Sequence, residues 1–230
     1  MKKLLLLLSI LFSSWGVSSA ADPYYLYIHA KNPKLRPYQV AEIIAANRRS
    51  STKYKANMYW HMCKMGHESG FKTEIGTAFT VGGRKYDNEP CYGIERMQLD
   101  VVAGMYPKMP LDKIKKALLN DYSFSIEAAY RLDHANRENA YNLGFKSEYQ
   151  NRVVGLIIYN SGLGSWKKYH YSLGKYLKTG GKLEDLTLRD WTTYRLNFRE
   201  VYSLNYYSGI LTEACILNYW FEKAKESGVN

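Results

Sequence analysis

His67-Glu68-Ser69-Gly70-Phe71, followed beyond a Gly82-Gly83 pair by Cys91-Tyr92-Gly93-Ile94-Glu95-Arg96-Met97-Gln98, is the stretch on which the reading of this chain turns. Upstream of it, Tyr54, Met58, Met62 and Met65 fall on one helical face, which predicts a helix over about 53–67 with Glu68 at its C-terminal end. Gly70 suits the left-handed position that stops such a helix. A carboxylate at that end faces the negative pole of the helix dipole, which disfavours its ionised form. Thr77 to Val81 and Arg84 to Tyr86 are β-branched, aromatic or basic, and flank the glycine pair. They predict a short β-hairpin, with Asp87 to Pro90 as a loop.

Working outward, Ala21 to Leu35 reads as an extended lead-in. Pro37 is placed to open a helix carrying Val40, Ile43, Ile44 and Asn47, and Arg48 to Thr52 reads as a polar turn. Pro110 and Asp112 mark another helix start, with Leu111, Ile114 and Leu118 on one face and Lys113, Lys115 and Lys116 solvated. Ile126, Ala129, Tyr130 and Asp133 predict a further helix. Ser147 to Asn160 is apolar on most sides and should be central, ending at Gly162 and Gly164. Lys178 to Lys182 is the best internal break. Beyond it, Ile210, Ala214, Leu217 and Phe221 predict a helical tail. The expected organisation is a signal segment over 1–20, a main domain over 21–178 and a helical extension over 179–230 packed on that same domain.

The first twenty residues bear on partners. Lys2 and Lys3 precede an apolar run from Leu4 to Phe12, and Val17-Ser18-Ser19-Ala20 offers small residues for cleavage. That is the pattern of a secretory signal peptide, too short for a good membrane span. It predicts a periplasmic protein with no nucleic-acid partner and no stable membrane span. The net charge of +11 then fits an anionic polymer outside the cytoplasm. An oxidising compartment permits disulfides, and Cys63–Cys91 and Cys91–Cys215 are the rival pairings among three cysteines. The five histidines show no ligand spacing, so neither a metal nor a cofactor is expected.

Three patches occur in order: Glu68-Ser69-Gly70-Phe71, Tyr92-Gly93-Ile94-Glu95-Arg96-Met97-Gln98-Leu99, and Ile157-Ile158-Tyr159-Asn160-Ser161-Gly162. Together they resemble the soluble lytic transglycosylases of glycoside hydrolase family 23. The resemblance covers about 54–169. It implies a mainly α, lysozyme-like (α+β) fold with a short β-hairpin. It also implies peptidoglycan glycan strands as substrate; general wall turnover, opening the wall for a secretion or cell-envelope machine, and remodelling in septation all stay open as the role. Carried onto this chain, it puts Glu68 in the place of the single catalytic acid. Ser69, Gln98, Tyr159 and Asn160 take the substrate-binding positions. Glu95-Arg96 stand where the family has Gly-Leu, and a rival register puts Arg96 rather than Gln98 in the family's Gln slot.

The chemistry needs a carboxylic acid that stays protonated near neutral pH, and Phe71, Met62 and Tyr159 are candidates for an apolar setting. Substrate-assisted cleavage needs no second carboxylate. Glu95, Glu89 and Asp87 are the candidates should there be one, and surface charge is their plainer reading. Trp166, Tyr169 and Tyr171 are candidate sugar-stacking rings. The alternatives are a hydrolytic muramidase of the same fold and an inactive wall-binding or inhibitor-type module.

Overall fold

The computed structural model describes residues 22–73, 80–81, 84–85, 90–186 and 193–226. It is mainly helical. In chain order the elements are α1 Pro23–Lys31, α2 Pro37–Lys53, α3 Met58–Glu68, β1 Thr80–Val81, β2 Arg84–Lys85, β3 Cys91–Tyr92 and β4 Met97–Gln98. Then come α4 Leu99–Met105, α5 Leu111–Asn120, α6 Tyr122–Asn142, α7 Glu148–Ser161, α8 Leu163–Tyr169, α9 Tyr171–Lys178 and α10 Phe198–Glu226. β1 pairs antiparallel with β2, in the register Thr80 to Lys85 and Val81 to Arg84. A second hairpin pairs Cys91 with Gln98 and Tyr92 with Met97. The expected signal segment, the Gly82-Gly83 turn, Asp87 and Glu89 lie outside the described residues.

Several boundaries move. The lead-in is helical, because Asp22 caps the Tyr24 amide at 2.9 Å and Pro23 fits the first turn. Its Tyr27 and Ile28 are fully buried, and that packing outweighs the weak local pattern. Arg48 to Thr52 continues α2 instead of turning: Arg48, Arg49 and Thr52 lie on its solvated face, while Ser50 is buried on the inner one. Tyr54 is therefore the C-cap of α2, and α3 starts afresh where Asn57 caps Tyr59. Leu99–Met105 is a helix that the periodicity did not reveal, being only two turns long. Leu111 is 56% exposed, although Ile114 and Leu118 are buried as the spacing predicts. Gly162 does end α7, with Ser147 as its N-cap, but Gly164 sits inside α8. No disulfide joins Cys63, Cys91 and Cys215, of which the first is buried and the last exposed.

Two apolar clusters form the interior. The larger joins Tyr27, Val40, Ile43, Met62, Met65, Ile126, Tyr130, Val153, Ile157 and Ile210. The smaller joins Tyr92, Met97, Val102, Ile114, Leu118, Ala128 and Ala129, with Tyr159 packed against it. Helix α6 serves both: Ile126 and Tyr130 enter the first, Ala128 and Ala129 the second. The turn Gly93–Arg96 bridges them as well, since Ile94 belongs to the larger cluster and Met97 to the smaller. Helix α10 packs along α1, α3 and α7. The approach to α3 is close, because a Cβ on Gly209 would lie 2.1 Å from the His67 ring.

Candidate functional site

Glu68 closes α3. Ser69 is the C-cap, and Gly70 follows at φ +58° with its amide on the Gly66 carbonyl at 3.1 Å. Phe71 is also left-handed, at φ +64°, a costly conformation for an aromatic residue. Complete burial and a 3.0 Å hydrogen bond from Asn32 Nδ2 to its carbonyl hold it there.

The next wall is the turn between β3 and β4. Gly93 has φ +77°, and a Cβ there would lie 2.5 Å from the Leu118 carbonyl oxygen and 2.6 Å from Ser125 Oγ. Only glycine fits both demands. Arg96 closes the turn at φ +48°, its amide 3.1 Å from the Gly93 carbonyl. Three side chains brace this turn from other elements. Ser69 Oγ donates to the Ile94 carbonyl at 2.6 Å, and the Tyr159 hydroxyl donates to the Glu95 carbonyl at 2.6 Å. The third brace is ionic. The buried Glu95 carboxylate lies 2.5 Å from His61 Nε2 and 3.5 Å from Lys64 Nζ, and Asp133 Oδ2 accepts from both His61 (2.9 Å) and Lys64 (2.7 Å).

Asp133, Lys64 and His61 are each tuned by their neighbours in that cluster. Burial lifts the Asp133 carboxyl, but Lys64 and His61 overcome it and hold it down at about 2. Burial lowers the Lys64 ammonium, and Asp133 and Glu95 more than restore it. Burial likewise lowers His61, and Glu95 outweighs that, so the imidazole is raised. Two cations facing two anions in the interior are stable only as a complete set.

Glu68 itself is half-buried. Its Oε1 accepts a 2.6 Å hydrogen bond from the Tyr206 hydroxyl of α10. Burial pushes its carboxyl up to about 7, although the Tyr206 hydrogen bond and the Lys64 and Arg96 charges pull the other way. Removal from water is thus the dominant effect. Burial and the Glu68 charge raise the Tyr206 phenol well above its ordinary value, so it remains a donor.

Comparison with protein-family models, with curated proteins and with solved structures returns no match.

The residues named from the sequence are divided by this geometry. Glu68 and Tyr159 are brought together, and the Lys64 ammonium lies 3.8 Å from the Tyr159 ring centroid on the same face. Asn160 hydrogen-bonds Tyr202, whose phenol feels the Glu68 charge, and its Oδ1 is buried with no hydrogen-bond partner. Ser69 is buried, with its hydroxyl engaged on the turn, which makes it a brace. Gln98 is exposed in β4 opposite Cys91. Arg96 bears on Glu68, and its buried Nε has no hydrogen-bond partner. Met62 and Phe71 are core. Of the three candidate rings, Trp166 is buried against Phe145 and His170, Tyr169 is 37% exposed and Tyr171 is 81% exposed. Glu95 is locked in ion pairs and is no loop charge.

Sequence reasoning missed Tyr206, Tyr202, Lys64, His61 and Asp133. A signal for the first two existed: Tyr202 and Tyr206 are four residues apart, on the helical face that also carries Gly209. Among the described residues no cluster of His, Cys, Asp and Glu is placed to hold a metal ion. No helix among them is long and apolar enough to cross a membrane.

Proposed function

We propose that the protein is a lysozyme-like lytic transglycosylase. It would cut the β-1,4 bond between N-acetylmuramic acid and N-acetylglucosamine in periplasmic peptidoglycan. The observation that carries this reading is Glu68, a carboxyl raised to about 7 and fixed by Tyr206 in a setting rich in tyrosine. No kinship with a known family supports it, so it rests on the site and on the ordered motifs.

The steps follow from the acid. Because Tyr206 donates to Oε1, Oε2 carries the Glu68 proton. That proton passes to the glycosidic oxygen as the C1–O bond breaks, and the carbonyl oxygen of the sugar's own N-acetyl group bonds to C1. Glu68, now a carboxylate, is steadied by Lys64 and Arg96. It then takes the proton of the C6 hydroxyl, whose oxygen displaces the acetamido oxygen from C1. The product is a 1,6-anhydro sugar, and no water is consumed. Asn160 and Arg96 stand near Glu68, each with a buried polar atom that has no hydrogen-bond partner. Glu95 is unavailable as the second carboxylate of a hydrolytic muramidase, being committed to His61 and Lys64.

Digestion of purified sacculi followed by mass spectrometry tests the reading. Fragments lighter by one water than hydrolysis products are expected. Hydrolytic masses would replace the reading with a muramidase. No release from wild type would leave an inactive wall-binding module.

A further inference from the structure

At the opposite end of α3 from Glu68, about 10 Å along the helix axis, a cavity of about 220 Å³ opens between α3, α6 and α7. That is far above the roughly 10–15 Å³ one water needs. Trp60 and Leu156 supply its apolar wall, and Asp133, Arg137, Glu148 and Arg152 its charges. Arg137 is pinned by its bonds to the Tyr54 and Lys55 carbonyls, 3.1 and 3.5 Å. The Arg152 guanidinium stacks on Trp60 at 3.9 Å.

Two polar atoms of lining residues are buried with no hydrogen-bond partner: the donor Arg152 Nη1 and the acceptor Asp133 Oδ1. Leaving such groups unsatisfied costs on the order of 1–3 kcal/mol each. Arg152 already bonds Tyr207 and faces Glu184, and its remaining Nη1 suits an acceptor that carries negative charge. Asp133 already faces two cations through Oδ2, so a third beside Oδ1 is repelled and a neutral N–H is accepted. With Lys55, Arg137 and Arg152 set against Asp133 and Glu148, the lining is net cationic.

We propose that this cavity binds a small monocarboxylate with a neutral N–H beside its carboxylate, the chemistry of a peptide C-terminus. The carboxylate meets Arg152 Nη1, the amide N–H meets Asp133 Oδ1, and the side chain lies on Trp60 and Leu156. The inference is independent of any activity at Glu68.

The test uses the intact protein and nuclear magnetic resonance of the Trp60 indole N–H, assigned with Trp60→Phe. N-acetylalanine of either hand should shift that signal saturably, with a dissociation constant below about 1 mM. N-acetylalaninamide lacks the carboxylate and acetate lacks the N–H, so each should bind at least tenfold more weakly. Arg152→Gln should abolish the shift. If that variant does not fold, Arg152→Lys keeps the charge without the fork and should weaken binding at least tenfold. No shift in wild type, equal binding of the amide, or undiminished binding by the Arg152 variant would overturn the proposal.

Discussion

At Glu68 the folded protein keeps a proton up to about pH 7, whereas its ordinary carboxyl value is 4.5. The stability owed to the protonated group is present in full below about pH 4.5 and falls away as pH rises to about 7. Glu68→Gln removes that dependence and still accepts from Tyr206. It should be more stable than wild type by about 1–3 kcal/mol at pH 8 and equal to it at pH 4, as read by urea denaturation at the two pH values. The same variant should lose about 10²–10⁴-fold in glycan release from sacculi. Tyr206→Phe acts with a definite sign. The lost hydrogen bond favoured the carboxylate, so the Glu68 value rises and the alkaline limb of the pH–rate profile moves to higher pH. An unmoved limb would mean that Tyr206 is packing only. Glu68 and Tyr159 were visible in the sequence because their neighbours form short ordered motifs. Tyr206 was not, because 138 residues separate it from its acceptor and tyrosine is common throughout this chain.

The β3–β4 turn shows how an element can be rigid with almost no strand behind it. Its two-residue strands contribute little pairing, so Ser69, Tyr159 and the His61–Glu95–Lys64–Asp133 cluster hold it from three sides. Gly93→Ala combines a left-handed φ with a 2.5 Å contact to backbone, and should destabilise the protein by about 2–4 kcal/mol in chemical denaturation. Lys64→Met leaves two buried carboxylates facing one histidine. It should cost about 3–5 kcal/mol by the same measurement. The helices were legible where an apolar face recurred inside a long helix, as at Val40–Asn47 in the 17-residue α2 and Val153–Ile158 in the 14-residue α7. They were illegible where a cap and a long-range contact decide, as at Asp22–Lys31 and the two turns after Gln98. The roles of Glu95 and Asp133 were hidden for a related reason. A charge in a sequence reads as solvated, and only the fold supplies the buried partners that pair with it.

At the scale of the molecule, α6 joins the two apolar clusters and α10 closes the face formed by α1, α3 and α7. That closure depends on contacts such as the Tyr27 hydroxyl donating to Glu213 at 2.8 Å, Lys31 bonding the same carboxylate, and His67 resting on Tyr206. A chain ended before Phe198 would expose the buried Tyr27, Met62 and Met65 to water. It should lose its cooperative thermal transition by circular dichroism, whereas removal of Lys225 and Glu226 alone should leave the transition in place. The link between Glu68 and Tyr206 also has a temporal meaning. Glu68 is synthesised 138 residues before its hydroxyl partner, so a nascent chain carries the carboxyl without that donor. That hydrogen bond forms only once α10 has docked against α3, so the environment of Glu68 is set by a long-range contact made late in folding.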